Sequence, residues 1–284
     1  MRPRQWSKNS LVLVAALTSG NVFEFKVWPK LVLAFLIFTL ISSSIYLIND
    51  ICDRKSDEMH PKKKHRVIAS GKLNTKTALV AAFLLATVGV CGVATQSTKS
   101  FLIVVSYLGI TVLYSIKLKY VPIIEILVVS LGFVLRVWFG ASVISVPMST
   151  WLGTSIFFGA SMIIIAKRLA ESRLHDKRFV RHVILKYNRK VLRSVEIFAA
   201  ISVILTYSLW TAFGQQDFIT QRILLNISCL PFVAAVARFV YIAQKDGIEE
   251  PEEFLLSDHI TQVMGAIFIT LLTAGIFVNS LYRH

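Results

Sequence analysis

Cysteine is scarce in this chain. Cys52, Cys91 and Cys229 are its three, too far apart for a disulfide framework or a zinc motif. Charge is scarce too: 17% of the 284 residues are charged, where a soluble domain carries about 25%. Acids are scarcer than bases, 16 against 31, for a net charge of +15. Solenoid repeats and low-complexity tracts are missing, and so is any polar stretch long enough for a separate soluble fold. What fills the chain instead is apolar: 55% hydrophobic residues and a mean hydropathy of +0.65. Lipid is the solvent this composition implies.

The apolar residues come in continuous runs. Trp28 to Ile48 holds one charge, Lys30, and the runs 78–96, 151–166, 197–213, 223–237 and 263–281 hold none. A spanning helix needs about 17–25 predominantly apolar residues, and continuous rather than alternating runs favour helices over a barrel. The expected fold is all-α, a single domain over 1–284 with about nine spans at 9–26, 29–49, 78–96, 100–116, 121–144, 150–170, 193–213, 222–242 and 261–281. The first follows Arg2, Arg4 and Lys8 like a signal peptide. No cleavage pattern leading into a soluble chain follows it, so it is read as a retained helix. With the N-terminus inside, 25 Lys and Arg fall on the cytoplasmic side and five outside, Arg136 lying within the fifth span. That asymmetry places the protein in the plasma or inner membrane with its basic loops in the cytoplasm. Arg173, Lys177, Arg178, Arg181, Lys186, Arg189, Lys190 and Arg193 read largely as topology signals facing anionic lipid. Since topology accounts for the positive charge, nucleic acid is not an expected partner, whereas membrane lipid is.

One stretch carries chemistry. At the cytoplasmic end of the second span the sequence reads NDICDRKSDEMHPKKKHRVIASGKL, from Asn49 to Leu73. If the helix runs two turns past Asn49, then Asp50, Asp53 and Asp57 fall within a stripe of roughly 60°, with Asn49 one turn behind Asp53. Oxygen ligands on one face suit Mg²⁺, which shares its coordination sphere with substrate phosphates. His60-Pro61 ends the helix, and the basic run Lys62 to Arg66, with Lys64 and Arg66 in it, offers cations for phosphate oxygens. A positive-inside loop would explain the lysines but not three aligned aspartates. Asp50 and Asp53 are the expected catalytic carboxylates, and Asp57 is expected to lie a turn further towards solvent.

The NDxxDxxxD pattern, followed by HPxKxxR and IASG, closely resembles the first aspartate-rich motif of the UbiA superfamily of intramembrane prenyltransferases. A second aspartate-rich motif is expected after the sixth span, but that place reads Lys167-Arg168-Leu169-Ala170-Glu171, with one carboxylate. This KRxAE pattern resembles the decaprenyl-phosphate phosphoribosyltransferase branch. So do the opening Arg2 to Asn9, Tyr114-Ser115 with Leu118-Lys119, GFVLR ending at Arg136, and Pro251-Glu252 with Leu255 to Asp258 and Gln262. Val67, Glu125 and His259 depart from that pattern, where proline, aspartate and arginine are expected.

The resemblance implies a Mg²⁺-dependent transfer of 5-phosphoribose from phosphoribosyl diphosphate (PRPP) to a polyprenyl phosphate, releasing diphosphate. The product would be a lipid-linked pentose precursor of cell-wall arabinan. The implied metal ligands are Asn49, Asp50, Asp53 and Asp57. Substrate contacts would come from Arg4, Lys8, Lys64, Arg66, Tyr114, Lys119, Arg136, Lys167, Arg168 and Glu171. Several have plainer readings: Arg4 and Lys8 as topology signals, Lys167 and Glu171 as an ordinary i,i+4 pair, Arg136 as a snorkelling or structurally paired cation, and Glu249, Glu250, Glu252 and Glu253 as a solvated loop. The acceptor phosphate is already ionised, so no strong general base is required. A prenyltransferase acting on an aromatic acceptor is the alternative within the superfamily, and the lone carboxylate Glu171, where an aspartate pair would be expected, argues against it. A transporter would place ionisable residues at mid-membrane depth in several spans; only Arg136 and Glu125 lie well inside one. A homo-oligomer stays open.

Overall fold

The computed structural model describes residues 3–61, 63–173, 183–214, 218–245, 247–248 and 251–281. The side chains of Arg4, Glu252, Leu255 and Leu256, and residues Lys62, Lys177, Arg178, Arg181, Glu249 and Glu250, lie outside that description. Among the described residues every regular element is helical. A 3-10 run, Pro3–Leu13, leads into α1 (Val14–Thr18). After it come α2 (Trp28–Met59), α3 (Thr75–Ala94), α4 (Thr98–Ile116), α5 (Ile124–Val143), α6 (Thr150–Glu171), α7 (Arg189–Phe213), α8 (Ile219–Lys245), α9 (Pro251–Ser257) and α10 (His259–Leu281).

Among the described residues eight helices are long and apolar enough to cross a membrane. They match the expected second to ninth spans. The expected first span, 9–26, is helical as well, but it is broken into the 3-10 run, α1 and two short 3-10 turns. Gly20, with φ +80°, interrupts it. About nine helices therefore agrees with the sequence, with the first differing in kind.

Local chemistry sets the boundaries. Pro29 sits in the first turn of α2, where its missing N–H is harmless. At the other end His60 is extended (φ −86°, ψ 131°), the conformation that a following proline favours. Asn74 and Asn188 accept the N–H groups of Lys76 and Lys190 as N-caps of α3 and α7, and Ser97 accepts that of Ser100 at α4. The 32 residues of α2 extend about 48 Å at 1.5 Å each, against roughly 30 Å of hydrocarbon. Its polar end, from Asn49 on, is the part in excess.

The chain divides into two compact units that alternate along the sequence: residues 1–15, 26–128 and 135–146 in the first, and 16–25, 129–134 and 147–284 in the second. In the first unit Val12, Ile37, Phe38, Ile41, Val104, Tyr107, Leu135 and Phe139 form the core. Small residues of α3 (Ala78, Ala82, Gly89) let it approach α2 closely, and an added Cβ on Gly89 would lie 2.5 Å from Ile41 Cγ1. Large apolar side chains such as Leu36 and Phe83 are exposed, as a lipid-facing surface requires. In the second unit Tyr207, Trp210, Leu225, Leu272 and Ile276 form the core. Within each unit a buried serine pair joins helices, Ser100 with Ser142 and Ser130 with Ser161, each at 2.8 Å.

Candidate functional site

The polar end of α2 is continuous helix through Met59, so Asn49, Asp50, Asp53 and Asp57 do share a face. Asn49 Nδ2 donates to Asp53 Oδ2 at 3.0 Å. Lys119, buried in a 3-10 turn (Leu118–Tyr120) after α4, donates through Nζ to Asp53 Oδ1 at 2.5 Å. Tyr114 is half-buried in the last turn of α4. Arg66 returns from the basic loop to donate to Asp57 Oδ2 at 2.5 Å and approaches Asp50 Oδ1 at 3.5 Å. Asp57 does not lie towards solvent, as the sequence suggested. It is 3% exposed, because the loop after Pro61 folds back over it.

That loop is held by its own backbone. Arg66 N bonds Lys63 O, Ser70 N bonds Arg66 O, and Leu73 N bonds Val67 O, with Gly71 at φ +74° and Ile68 buried beneath. Val67 points outward at 49% exposure, so replacing proline there disturbs no core. Lys64 is exposed.

Among the described residues no group of three or more His, Cys, Asp or Glu converges as a metal cage. Magnesium does not need one, since it is usually held by one or two carboxylates plus substrate phosphates and water. Asp50 and Asp53, with the Asn49 side-chain oxygen beside them, could supply an all-oxygen set of that kind, with Asn49 and Lys119 giving up their bonds to Asp53. Asp57 is engaged with Arg66.

In the second unit the predicted KRxAE residues occupy the last turns of α6. Arg168, 5% exposed, donates to Glu171 Oε2 at 2.8 Å, an i,i+3 pair, while Lys167 is half-buried. Sequence reasoning missed what holds this end in place. Arg173 donates to the carbonyls of Lys245 (3.0 Å), Ala243 (3.3 Å) and Gln244, capping the C-terminus of α8. Arg189 donates to Ser172 O. Gln244 Nε2 in turn donates to Glu196 Oε2 at 3.2 Å, and Glu196 is fully buried in α7. A single acid at the edge of an apolar run was the only sequence signal for Glu196.

Two further predicted residues fall elsewhere. Arg136 is 6% exposed in α5 and donates to Tyr107 Oη at 2.6 Å. The tail residue Asp258 accepts from Arg238 Nη2 at 2.9 Å and from the hydroxyl and N–H of Thr261 at 2.6 and 3.0 Å. The Arg238 bond, then those from Thr261, hold its carboxyl well below the usual carboxylate range.

The UbiA prenyltransferase family matches the chain over residues 10–257. The decaprenyl-phosphate phosphoribosyltransferase of Mycobacterium tuberculosis is 31% identical over 282 residues, covering 97% of this chain and 92% of its own length. That of Mycolicibacterium smegmatis is 32% identical over 293 residues, covering 98% and 92%. The solved structure of a UbiA homolog from Archaeoglobus fulgidus bound to GPP and Mg²⁺ shares the fold, with a TM-score of 0.73 over 97% of both chains at 16% identity.

Proposed function

This chain belongs to the UbiA prenyltransferase family, and from that premise we propose that it transfers 5-phosphoribose from PRPP to a polyprenyl phosphate. The observation that carries the reading is the end of α6. It presents Lys167, Arg168 and a single carboxylate, Glu171, and relatives similar over nearly the whole chain bear the name of this activity. A phosphate oxygen of the lipid forms the new bond to C1 of the ribose, the C1–diphosphate bond breaks, and diphosphate leaves with the bonding pair.

The residues suit that step. Mg²⁺, held by Asp50 and Asp53 with Asn49, would neutralise charge on the departing diphosphate. Lys119 stands against Asp53 and Arg66 against Asp57 and Asp50, so cations already border the place where phosphate oxygens would lie. Arg4, Lys8, Lys64 and Tyr114 are further contacts in this reading. Lys167 and Arg168 hold the 5-phosphate, and Glu171 accepts from ribose hydroxyls. The polar residues face the cytoplasm, where PRPP is supplied, and the lipid tail stays in the bilayer. The product is a lipid-linked pentose phosphate fit to feed arabinan synthesis.

The test is purified protein in detergent with labelled PRPP, a polyprenyl phosphate and Mg²⁺, the lipid product being identified by mass. Pentose phosphate on the lipid, lost in EDTA, is the expected result. Glu171→Gln should raise the KM for PRPP several-fold while leaving that for the lipid nearly unchanged, because a charge-assisted contact is worth roughly 1.5–3 kcal/mol. Condensation of a polyprenyl diphosphate with an aromatic acid, with PRPP ignored, would overturn the reading.

A further inference from the structure

Arg136 is a cation well inside an apolar helix, and its surroundings assign it a task. It lies in α5, 6% exposed, where an ionised side chain must find compensation within the protein. Its Nη2 donates to Tyr107 Oη at 2.6 Å and its Nε reaches Asn9 Oδ1 at 3.5 Å. The guanidinium also lies 5.0 Å from the Tyr107 ring centroid and 5.5 Å from that of Phe38.

Asn9 belongs to the N-terminal 3-10 run and is fully buried. Its amide donates to Thr39 Oγ1 at 3.1 Å and Ser42 Oγ at 3.0 Å, both on α2, while its oxygen takes Arg136. Both donor hydrogens and the acceptor are thus engaged, a pattern that an amide provides and neither a carboxylate nor an alkyl chain does. One turn further along α5, Gly140 meets the same arm. A Cβ there would lie 1.9 Å from Val12 O and 2.8 Å from Val12 C. The arm is thereby fixed by two independent devices, a polar clamp at Asn9 and a backbone contact at Val12. Lys8 is the residue immediately before the clamped asparagine.

We infer that Arg136 is a positioning residue: with Gly140 it docks the N-terminal arm against α2 and α5 and so sets where Lys8 stands. Arg136 then acts on substrate through Lys8. The kinetic part of this inference rests on the proposed phosphoribosyl transfer; the docking part does not.

The experiment places a nitroxide spin label on Ser10→Cys, an exposed position of the arm, after replacement of Cys52, Cys91 and Cys229. Arg136→Gln and Gly140→Val should each turn an immobilised spectrum into a mobile one, although one removes charge and the other adds only bulk. Each should raise the KM for PRPP by the same factor as Lys8→Ala, within about twofold, and adding Lys8→Ala to Arg136→Gln should give no further loss. Tyr107→Phe, which deletes one oxygen, should give a smaller shift of the same kind should Arg136→Gln fail to fold. A label that stays immobile in the Arg136 and Gly140 variants would overturn the docking role. An immobile label combined with lost activity in Arg136→Gln would mark Arg136 as a direct substrate contact. Failure of the wild type to use PRPP would sink the proposed function and leave the spectra to decide the docking.

Discussion

Lys119 and Arg66 each answer a carboxylate on α2, and burial makes the two pairs unequal. The Asp53 side chain keeps 16% of its surface, whereas Asp57 keeps 4% beneath a folded loop. Position along the helix alone suggested that Asp57 matters less for turnover; its burial adds a share in holding the loop. Removing one partner of a buried pair costs about 3–5 kcal/mol, but Arg66 is 24% exposed and can turn towards water, so about 1–3 kcal/mol is the better expectation. Asp57→Ala should lower the melting temperature in detergent by several degrees and cut turnover, since Arg66 loses its anchor; an unchanged melt would show that the loop holds itself. Asp258 makes a different prediction. Its folded pKa lies below the unfolded one, so its stabilisation is complete above the unfolded value near 4 and is lost as pH falls through the folded value. The melting difference between wild type and Asp258→Asn should therefore be flat from pH 5 to 8 and shrink only in stronger acid. A difference that changed around pH 6–7 would place the titrating group elsewhere.

At the scale of elements, small residues decide which helix faces meet. Gly89 of α3 stands where a Cβ would meet Ile41 Cγ1 at 2.5 Å, whereas nothing lies within 4 Å of the equivalent point on Gly109 of α4. Gly89→Ala should then destabilise by about 1–3 kcal/mol through overpacking, and Gly109→Ala should be neutral or stabilise by under about 1 kcal/mol through helix propensity. Equal melts for the two would mean that α2 and α3 can part without loss. Elements were also where the sequence was most and least readable. The end of α2 was legible because a long apolar run, a 3.6-residue carboxylate period and His60-Pro61 all point to one helix with one polar face. The N-terminal arm was not. Its apolar content resembles a span, but its winding depends on Asn9 reaching Thr39 and on Val12 lying against Gly140, contacts far apart in sequence. The capping of α8 by Arg173 was hidden for the same reason. Any basic residue after α6 could serve, and only the fold brings the carbonyls of 243–245 to it.

For the whole molecule the governing fact is the distribution of basic residues, 25 on one expected side and five on the other. If the eight long helices alternate as spans, the loop after α2 and the segment between α6 and α7 fall on the same side, and the N-terminal arm joins them there only if it crosses as well. The alternation is a strong constraint: between α2 and α7 an even number of crossings separates the two basic segments, so they cannot lie on opposite sides unless one helix fails to span. Reagents that do not cross the membrane can check this in intact cells. In a background lacking Cys52, Cys91 and Cys229, cysteines introduced at His60 and at exposed Leu185 should stay unlabelled until the membrane is opened. A cysteine at exposed Thr95, in the turn between α3 and α4, should label at once. Labelling at all three in intact cells would mean the helices do not alternate as spans, and labelling at 60 and 185 but not at 95 would invert the protein. Inversion would place the α2 carboxylates away from the cytosolic donor, removing the proposed transfer along with the orientation.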